Sequence, residues 1–145
     1  MDLLKKAKTI LDDGNYTCVL CSEWETITSV ERGVKSLTDL IDSGRNVSGM
    51  SAADTVVGRG AAFLYVKLGV REIFAGVISD PAAEVLSAHG IEFRYDKKVP
   101  NIINRDGTGL CPMEEATLGT DDPEEAFRRV RAKQEELKKK NAARS

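Results

Sequence analysis

The stretch VREIFAGVISDPAAEVLSAHGIEFRYDKKV, residues 70–99, decides the fold class. Its first ten residues form a nearly continuous apolar run, which is typical of a strand covered on both faces. DPAAEVLSAHG then predicts a helix with Asp80 as its cap, Pro81 at its first position and Gly90 as its stop. IEFRYDKKV predicts a second strand. A strand, a helix and a strand in this order indicate two parallel strands joined by a right-handed crossover.

The first half of the chain adds two helices and a hairpin. Residues 2–12 have apolar side chains on one helical face, and DDGNY after them is typical of a turn. YTCVLCS and ETITSVERG predict a β-hairpin, and VKSLTDLIDSG predicts a helix that ends at Gly44. The chain is therefore predicted to have an α/β fold, with a mixed sheet and helices on both faces.

AADTVVGRGAAFLYVKLGV, which follows Ser51, is interpreted as one helix with two glycines near its start. Ser51 and Asp54 match the capping-box pattern, which would place Asp54 at the helix N-terminus. A glycine inside a helix costs about 0.8–1 kcal/mol relative to alanine, so Gly58 and Gly60 need a reason. One reason is tight packing of the helix on the sheet. The other is a ligand pocket, where free backbone N–H groups and Arg59 bind an anion such as a phosphate.

Length and charge narrow the classes of function. The chain has 145 residues, a net charge of -2 and a pI of about 5.5, which give no electrostatic reason to expect nucleic acid or an anionic membrane as partner. No stretch approaches the ~20 apolar residues of a membrane span, and MDLLKKAKTI lacks the features of a signal peptide. Three cysteines without an export signal predict a reducing cytoplasm.

The C-terminal region differs in composition from the rest. We predict a domain over residues 1–119 and a charged helical extension over residues 120–145, with the helix starting at Asp122-Pro123. This helix has one narrow apolar stripe, formed by Phe127, Val130, Gln134 and Leu137. The stripe is expected either to pack back on the domain or to pair with a second subunit, which would make a homodimer.

Cys18 and Cys21 have the CxxC spacing of metal and redox sites, but their setting argues against both. Residues three apart on a strand point to opposite faces, so the two sulfur atoms diverge and are expected to be buried. His89 is the only histidine and lies at the predicted C-terminal end of a helix. We therefore predict neither a metal site nor a cofactor.

VPNIINRDGTGLCPMEEA, residues 99–116, is a second candidate ligand segment because it follows a strand end, where ligands bind in open α/β sheets. Asn104, Arg105 and Asp106 supply an amide, a cation and a carboxylate, and Gly109 permits close approach of a ligand. The simpler interpretation is a turn, for which Asn-Arg-Asp-Gly is a suitable sequence.

The end of the same segment contains a candidate nucleophile. Cys111 precedes a predicted helix, and a cysteine at a helix N-terminus can have a lowered pKa. Glu114 and Glu115 lie in the first turn of that helix, where carboxylates also satisfy the helix dipole without any catalytic role.

SAADTVVGRGAAFLYVKLGV, IFAGVISDPAAEVLSAHGI and VPNIINRDGTGLCPMEEA together resemble the family called domain of unknown function 1893, which is placed in the cytidine deaminase-like superfamily. The resemblance covers Ala7 to Glu115, leaves the charged tail outside, and implies a three-layer α/β/α sandwich. A zinc deaminase has His or Cys beside a glutamate at one helix start and Pro-Cys-x-x-Cys at another. This chain is expected to place DTVVGRG and SDPAAEV there, so the resemblance implies a pocket without zinc ligands.

We therefore expect a cytoplasmic, deaminase-like domain that binds a small polar, nucleotide-like or other anionic ligand. The expected binding residues are Asp54, Gly58, Arg59, Asp80, Asn104, Arg105, Gly109 and Glu115, with Glu114 beside them. One alternative is a metal-free transferase or hydrolase with Cys111 or Asp54 as nucleophile and Glu114 or Glu115 transferring protons. The other alternative is an interaction protein that acts through its C-terminal helix.

Overall fold

Five strands form one mixed sheet in the computed structural model, which describes residues 2–31, 33–104 and 106–144. Along the chain they are β1 (Cys18–Cys21), β2 (Thr26–Ser29), β3 (Ser51–Val57), β4 (Glu72–Ser79) and β5 (Glu92–Val99). Their order across the sheet is β2-β1-β3-β4-β5. β1 is antiparallel to both β2 and β3, whereas β3, β4 and β5 are parallel. The mixed sheet is therefore confirmed, with the hairpin at one edge.

Helices cover both faces of this sheet. They are α1 (Leu3–Gly14), α2 (Lys35–Ser43), α3 (Arg59–Leu68), α4 (Asp80–Ala88), α5 (Pro112–Ala116) and α6 (Pro123–Arg144). One face is buried by the apolar side of α1, which packs against Val19, Ala53 and Phe74. The other face belongs to the larger core, to which α2, α3 and α4 contribute buried side chains. The structure is thus the expected three-layer α/β/α sandwich.

The predicted helix from Ala52 to Val70 is wrong in its first part. Ser51–Val57 is strand β3, and α3 begins only at Arg59, with Gly58 in extended conformation as its N-cap. β3 lies between β1 and β4 and is covered on both faces, so small buried residues line both of its sides without a polar alternation. Asp54 therefore lies within a strand and does not cap a helix.

The start of α4 also differs in detail from the prediction. The cap is Ser79, whose hydroxyl oxygen accepts a hydrogen bond from the Ala82 N–H (3.2 Å). Asp80 is the first helical residue and Pro81 the second. The first turn of a helix favours both acidic residues and proline. The predicted stops are present, because Gly44 and Gly90 both have left-handed backbones (φ 70° and 72°).

The C-terminal helix α6 packs against the rest of the protein, which is one of the two arrangements expected of its apolar stripe. Ala126 and Val130 are fully buried in the larger core. Lys67 of α3 pairs with Glu124 (2.7 Å), and the Gln134 amide donates to the Thr38 hydroxyl (3.0 Å). The division of the chain at residue 119 and the homodimer stay predictions. Within the described ranges, no helix combines the length and the apolar character needed to cross a membrane.

Candidate functional site

The start of α3 contacts the short helix α5 through one carboxylate. Glu114 Oε1 accepts a hydrogen bond from the Arg59 backbone N–H (3.1 Å), which places the carboxyl group at the N-terminus of α3. A Cβ atom on Gly58 would lie 2.8 Å from that oxygen, and one on Gly60 would lie 3.0 Å from Met113 Cβ. The two glycines therefore allow α5 to approach α3 closely. Tight packing explains them, although the partner is a helix and not the sheet.

The Arg59 guanidinium holds the connection between α5 and α6. Its Nε donates to the Thr117 carbonyl (3.0 Å), and its Nη2 donates to the Thr120 carbonyl and lies 3.3 Å from Asp121 Oδ1. The guanidinium also lies over the Phe63 ring, with 5.0 Å between Cζ and the ring centroid. With its side chain only 11% exposed, Arg59 has a structural role in these contacts. Its binding of an anion stays a prediction.

Glu114 is the most deeply buried of the predicted site residues that the structure describes, with 1% of its surface exposed. Its Oε1 satisfies the Arg59 N–H, but its Oε2 is buried and has no hydrogen-bond partner within the described part of the chain. We call Gly58, Arg59 and Glu114 the α3-start cluster. The structure brings these three predicted residues into contact with one another.

Asp54 lies apart from the α3-start cluster, in the middle of β3, with 8% of its surface exposed. The Tyr65 hydroxyl donates a hydrogen bond to Asp54 Oδ2 (2.7 Å), and the Val56 N–H donates to Oδ1 (3.2 Å). Burial raises the pKa of Asp54 to about 7, although these hydrogen bonds lower it in part. A carboxylate with a pKa near neutrality inside an apolar core is more typical of functional sites than of structural ones.

Cys18 continues the hydrogen-bonded path from Asp54 toward the surface. Its Sγ lies 3.2 Å from the Tyr65 hydroxyl oxygen, so Cys18, Tyr65 and Asp54 form one buried network. Burial, with the Asp54 charge as the second cause, raises the pKa of Cys18 to about 12. Burial also raises the pKa of Tyr65 well above its ordinary value. All three groups therefore favour their protonated forms relative to the same groups in water.

Cys18 also lines a cavity of about 280 Å³, which we call the hairpin cavity. It lies between the β1–β2 hairpin and α2. Its lining combines apolar side chains with hydroxyl and charged groups, among them Leu20, Ile27, Ser29, Ser36, Asp39 and Arg45. The buried network therefore ends at a space that a small molecule could occupy.

Tyr65 was not identified from the sequence as a site residue, and Cys18 was not predicted to belong to a hydrogen-bonded network. Tyr65 lies within the apolar run of α3 and is fully buried, so it looked like a core residue. Its contact with Asp54 requires the strand, turn and helix order, because in one continuous helix the two residues would lie three turns, about 16 Å, apart along the axis. The available signal was an acidic residue, Asp54, in a buried strand, followed by a single hydroxyl group, that of Tyr65, in the next helix.

The loop before α5 is folded on itself as a turn. The Asn104 side chain accepts from the Thr108 N–H (3.0 Å) and donates to the Thr108 hydroxyl (3.2 Å), and the Asn104 N–H donates to the Gly109 carbonyl (2.8 Å). These bonds match the simpler interpretation of the loop. Arg105 lies outside the described residues.

The other predicted residues lie apart from one another. Cys111 is the half-buried N-cap residue of α5, and Glu115 lies in the first turn of that helix. Asp80, at the start of α4, forms an ion pair with Lys98 of β5 (3.5 Å). No hydrogen bond among the described residues connects Asp54 with Cys111 or Glu114.

The described donor groups do not fit a zinc ion. Cys18 and Cys21 belong to the cores on opposite faces of the sheet, as the strand geometry predicted. His89 is the C-cap residue of α4. Over residues 2–31, 33–104 and 106–144, no three His, Cys, Asp or Glu side chains group in a way that could hold a metal. Only the last three residues of DTVVGRG, Gly58 to Gly60, lie at a helix start.

Comparison with known proteins gives one clear relationship. The model of the family described as "TM1506: Domain of unknown function (DUF1893)" matches residues 6–134, so the match extends beyond Glu115 into α6. The crystal structure of a DUF1893 family protein (TM1506) from Thermotoga maritima is 34% identical, covers 91% of this chain and 90% of its own, and aligns with a TM-score of 0.83. No curated protein sequence matches the chain.

A second solved structure shows a much weaker likeness. It is a diaminohydroxyphosphoribosylaminopyrimidine deaminase/5-amino-6-(5-phosphoribosylamino)uracil reductase from Thermotoga maritima. The alignment has 14% identity and a TM-score of 0.42, and covers 64% of this chain and 35% of that one. A likeness at this level establishes neither a shared fold nor a shared activity.

Proposed function

This chain belongs to the DUF1893 family, and on that premise we propose that it is a binding domain for a small polar ligand of nucleoside-like chemistry. The ligand occupies the hairpin cavity, with Cys18 and Ser36 at its floor. A volume of about 280 Å³ is at the lower end of the range for small-molecule sites, which suits one ring system with its polar substituents.

The observation that carries the proposal is the buried network of Asp54, Tyr65 and Cys18. Burying a carboxyl group is unfavourable, and an apolar side chain at position 54 would fill the same interior without that penalty. The network links this unfavourable group to the wall of the hairpin cavity, which Cys18 lines. A buried polar network that ends in a cavity is the arrangement expected of a ligand-recognition site.

The anionic character of the expected ligand has less support than its size. The Arg59 donors described above face main-chain carbonyls, and Glu114 already occupies the N-terminus of α3. The hairpin cavity itself has carboxylates as well as a cation, since Glu31, Asp39 and Arg45 all contribute to its lining. A neutral polar molecule fits this mixture of charges better than a phosphate does.

The test is a titration of the purified protein with uridine, cytidine, adenosine and inorganic phosphate, followed by NMR chemical shifts. We expect a nucleoside to shift the signals of residues around Cys18 and Ser36. Ser29→Phe places an aromatic ring in the lining and should abolish these shifts. Thr26→Phe, on the same strand but outside the lining, is the matched control and should preserve them. Shifts that persist in Ser29→Phe, or none with any nucleoside, would contradict the proposal.

A metal-free transferase or hydrolase remains the alternative function. Its candidate nucleophile is Cys111, which is half-buried at the N-terminal end of α5, whereas Asp54 is enclosed by the core. Rapid alkylation of Cys111 by iodoacetamide at neutral pH, compared with Cys111→Ser, would favour this alternative because an activated thiolate reacts fast. Alkylation at the rate of an ordinary thiol would count against it.

A further inference from the structure

The buried network contains two hydrogen bonds whose directions are linked. The Tyr65 hydroxyl has a single proton, and it donates that proton to Asp54 Oδ2 when Asp54 is ionised. The Tyr65 oxygen is then free to accept, so the Cys18 thiol donates its own proton to Tyr65 across 3.2 Å. In this state the Cys18 sulfur can only accept hydrogen bonds on its cavity side, from the neighbouring Ser36 hydroxyl or from a molecule in the hairpin cavity.

Addition of one proton to Asp54 reverses both bonds. Oδ1 already accepts the Val56 N–H, so the added proton is best placed on Oδ2, where it is donated to the Tyr65 oxygen. Tyr65 then donates its proton to Cys18 Sγ. The Cys18 S–H is released from Tyr65 and can point into the cavity as a donor. One proton is gained, no covalent bond between heavy atoms changes, and each hydrogen bond runs in the opposite direction.

We propose that the protonation of Asp54 sets the hydrogen-bond character of the cavity floor, and so selects which edge of a ligand the cavity binds. With Asp54 protonated, the Cys18 thiol donates and the cavity favours a carbonyl group. With Asp54 ionised, the sulfur accepts and the cavity favours an N–H group. The ligand class is a planar ring or amide that carries such groups. This inference rests on the proposed function, since it concerns the same cavity.

Both states are accessible near neutrality, because burial raises the pKa of Asp54 to about 7. The neighbours of Asp54 are mostly uncharged: Tyr65 faces it from α3, Cys18 pairs with it on β1, and Ala75 pairs with it on β4. Of the charged groups that line the cavity, Asp39 pairs with Lys35 (2.8 Å), Arg45 pairs with Glu25, and Glu31 follows β2. Within the buried network, Asp54 is the group whose charge changes near neutrality.

The first measurement follows the S–H stretching band of Cys18 by infrared spectroscopy. Subtracting the spectrum of Cys18→Ala from that of the wild-type protein isolates the band from those of Cys21 and Cys111. We expect the band to shift in a single titration between pH 5 and pH 8.5, as the thiol exchanges one partner for another. Asp54→Asn should abolish the shift, and Tyr65→Phe provides a second variant that removes the link without removing the carboxyl group.

The second measurement uses two small probes of similar size: cyclopentanone, which only accepts hydrogen bonds, and pyrrole, which donates through its N–H. The ratio of their affinities, from NMR titrations, should favour cyclopentanone at pH 5.5 and pyrrole at pH 8.5, with an overall change of about fivefold or more. In Asp54→Asn the ratio should not depend on pH.

The outcomes separate this inference from the proposed function. A band that stays constant over the pH range, or that shifts equally in Asp54→Asn, would overturn the linked hydrogen bonds. Probes that bind wild-type protein but not Ser29→Phe, with a ratio independent of pH, would overturn the selection while leaving the binding function intact. If neither probe binds at any pH, the selection is overturned, and the nucleoside titration of wild type and Ser29→Phe decides the proposed function separately.

Discussion

The α3-start cluster and the buried Asp54 network contain similar side chains with different roles. In the cluster, Arg59 and Glu114 satisfy main-chain groups and hold α3, α5 and the connection to α6 together. In the network, Asp54 has no cation as partner among the described residues, and its hydrogen bonds lead toward the hairpin cavity. Arg59 and Glu114 stabilise the fold, while Cys18, which lies in an apolar strand, connects the network to the lining of the cavity.

This difference shows how a polar residue is best interpreted. A polar group whose hydrogen bonds end on the protein's own backbone contributes to stability and leaves little for a ligand. A polar group that is buried without a charge partner is unfavourable to the fold, and its retention needs another reason. Four predictions test whether the two regions differ in this way. They follow in order of expected effect, from the largest to the smallest.

The largest effect is expected from Asp54→Asn as a function of pH. An unfolded aspartate has a pKa of about 3.9, so between pH 4 and pH 7 the folded wild-type protein keeps a proton that the unfolded protein has lost. The free energy of unfolding of the wild type therefore falls as pH rises through this interval, by about 4 kcal/mol in total from this group. Asp54→Asn lacks this dependence.

Urea denaturation at several pH values measures the effect. The variant's stability relative to wild type should grow from pH 4 to pH 7 and stay level above pH 7. A difference that does not change with pH would mean that Asp54 is not buried as a carboxyl group of raised pKa.

Arg59→Ala should lower the free energy of unfolding by about 3 kcal/mol, because it removes charged hydrogen bonds to main-chain carbonyls and the contact with Phe63. Arg59→Lys keeps the charge but not the two-nitrogen geometry, so it should recover less than half of this loss. Thermal denaturation of both variants measures the effect. An unchanged melting temperature together with lost phosphate binding would instead assign Arg59 to a ligand.

Gly60→Ala should destabilise the protein by about 1–2 kcal/mol, since crowding against Met113 exceeds the gain in helix propensity. Gly109→Ala is the matched control, because a Cβ at that position meets no atom within 4 Å. Chemical denaturation of the two variants side by side compares them. Equal stability of Gly60→Ala and wild type would show that α5 moves away from α3 at little cost.

The smallest effect is expected from ending the chain after Gln134. The family match ends there, and the helix beyond it lies largely in solvent. The free energy of unfolding should change by no more than about 0.5 kcal/mol. Ending the chain after Gly119 is the contrast: it removes Ala126 and Val130 from the core and should unfold the protein. A partner protein lost only with residues 135–145 would support a role of this helix in interaction.

Much of the fold was predictable because local signals were strong. The apolar run of β4 predicted a strand, and Gly44 and Gly90 marked the ends of helices. The opposite burial of Cys18 and Cys21 followed from the two-residue period of a strand. Ser51–Val57 was assigned wrongly because a strand buried on both faces has no polar alternation, and its small residues also suit a helix.

The candidate site was predictable only in part. The sequence identified Asp54, Gly58, Arg59 and Glu114 as residues that needed a reason, and the contact between the last three is present. It placed Asp54 at a helix start, however, and so could not connect Asp54 with Tyr65. The error in one secondary-structure boundary changed which side chains could meet.

The sequence by itself determined the α/β class and the order of most elements. Those features depend on residue type and on periodicity over a few residues. Only the tertiary structure decided that Glu114 fills the N-terminus of α3 and that Asp54, Tyr65 and Cys18 form one network below a cavity. The reason is physical: burial, pKa and hydrogen-bond partners depend on packing between segments distant in sequence, which local patterns do not contain.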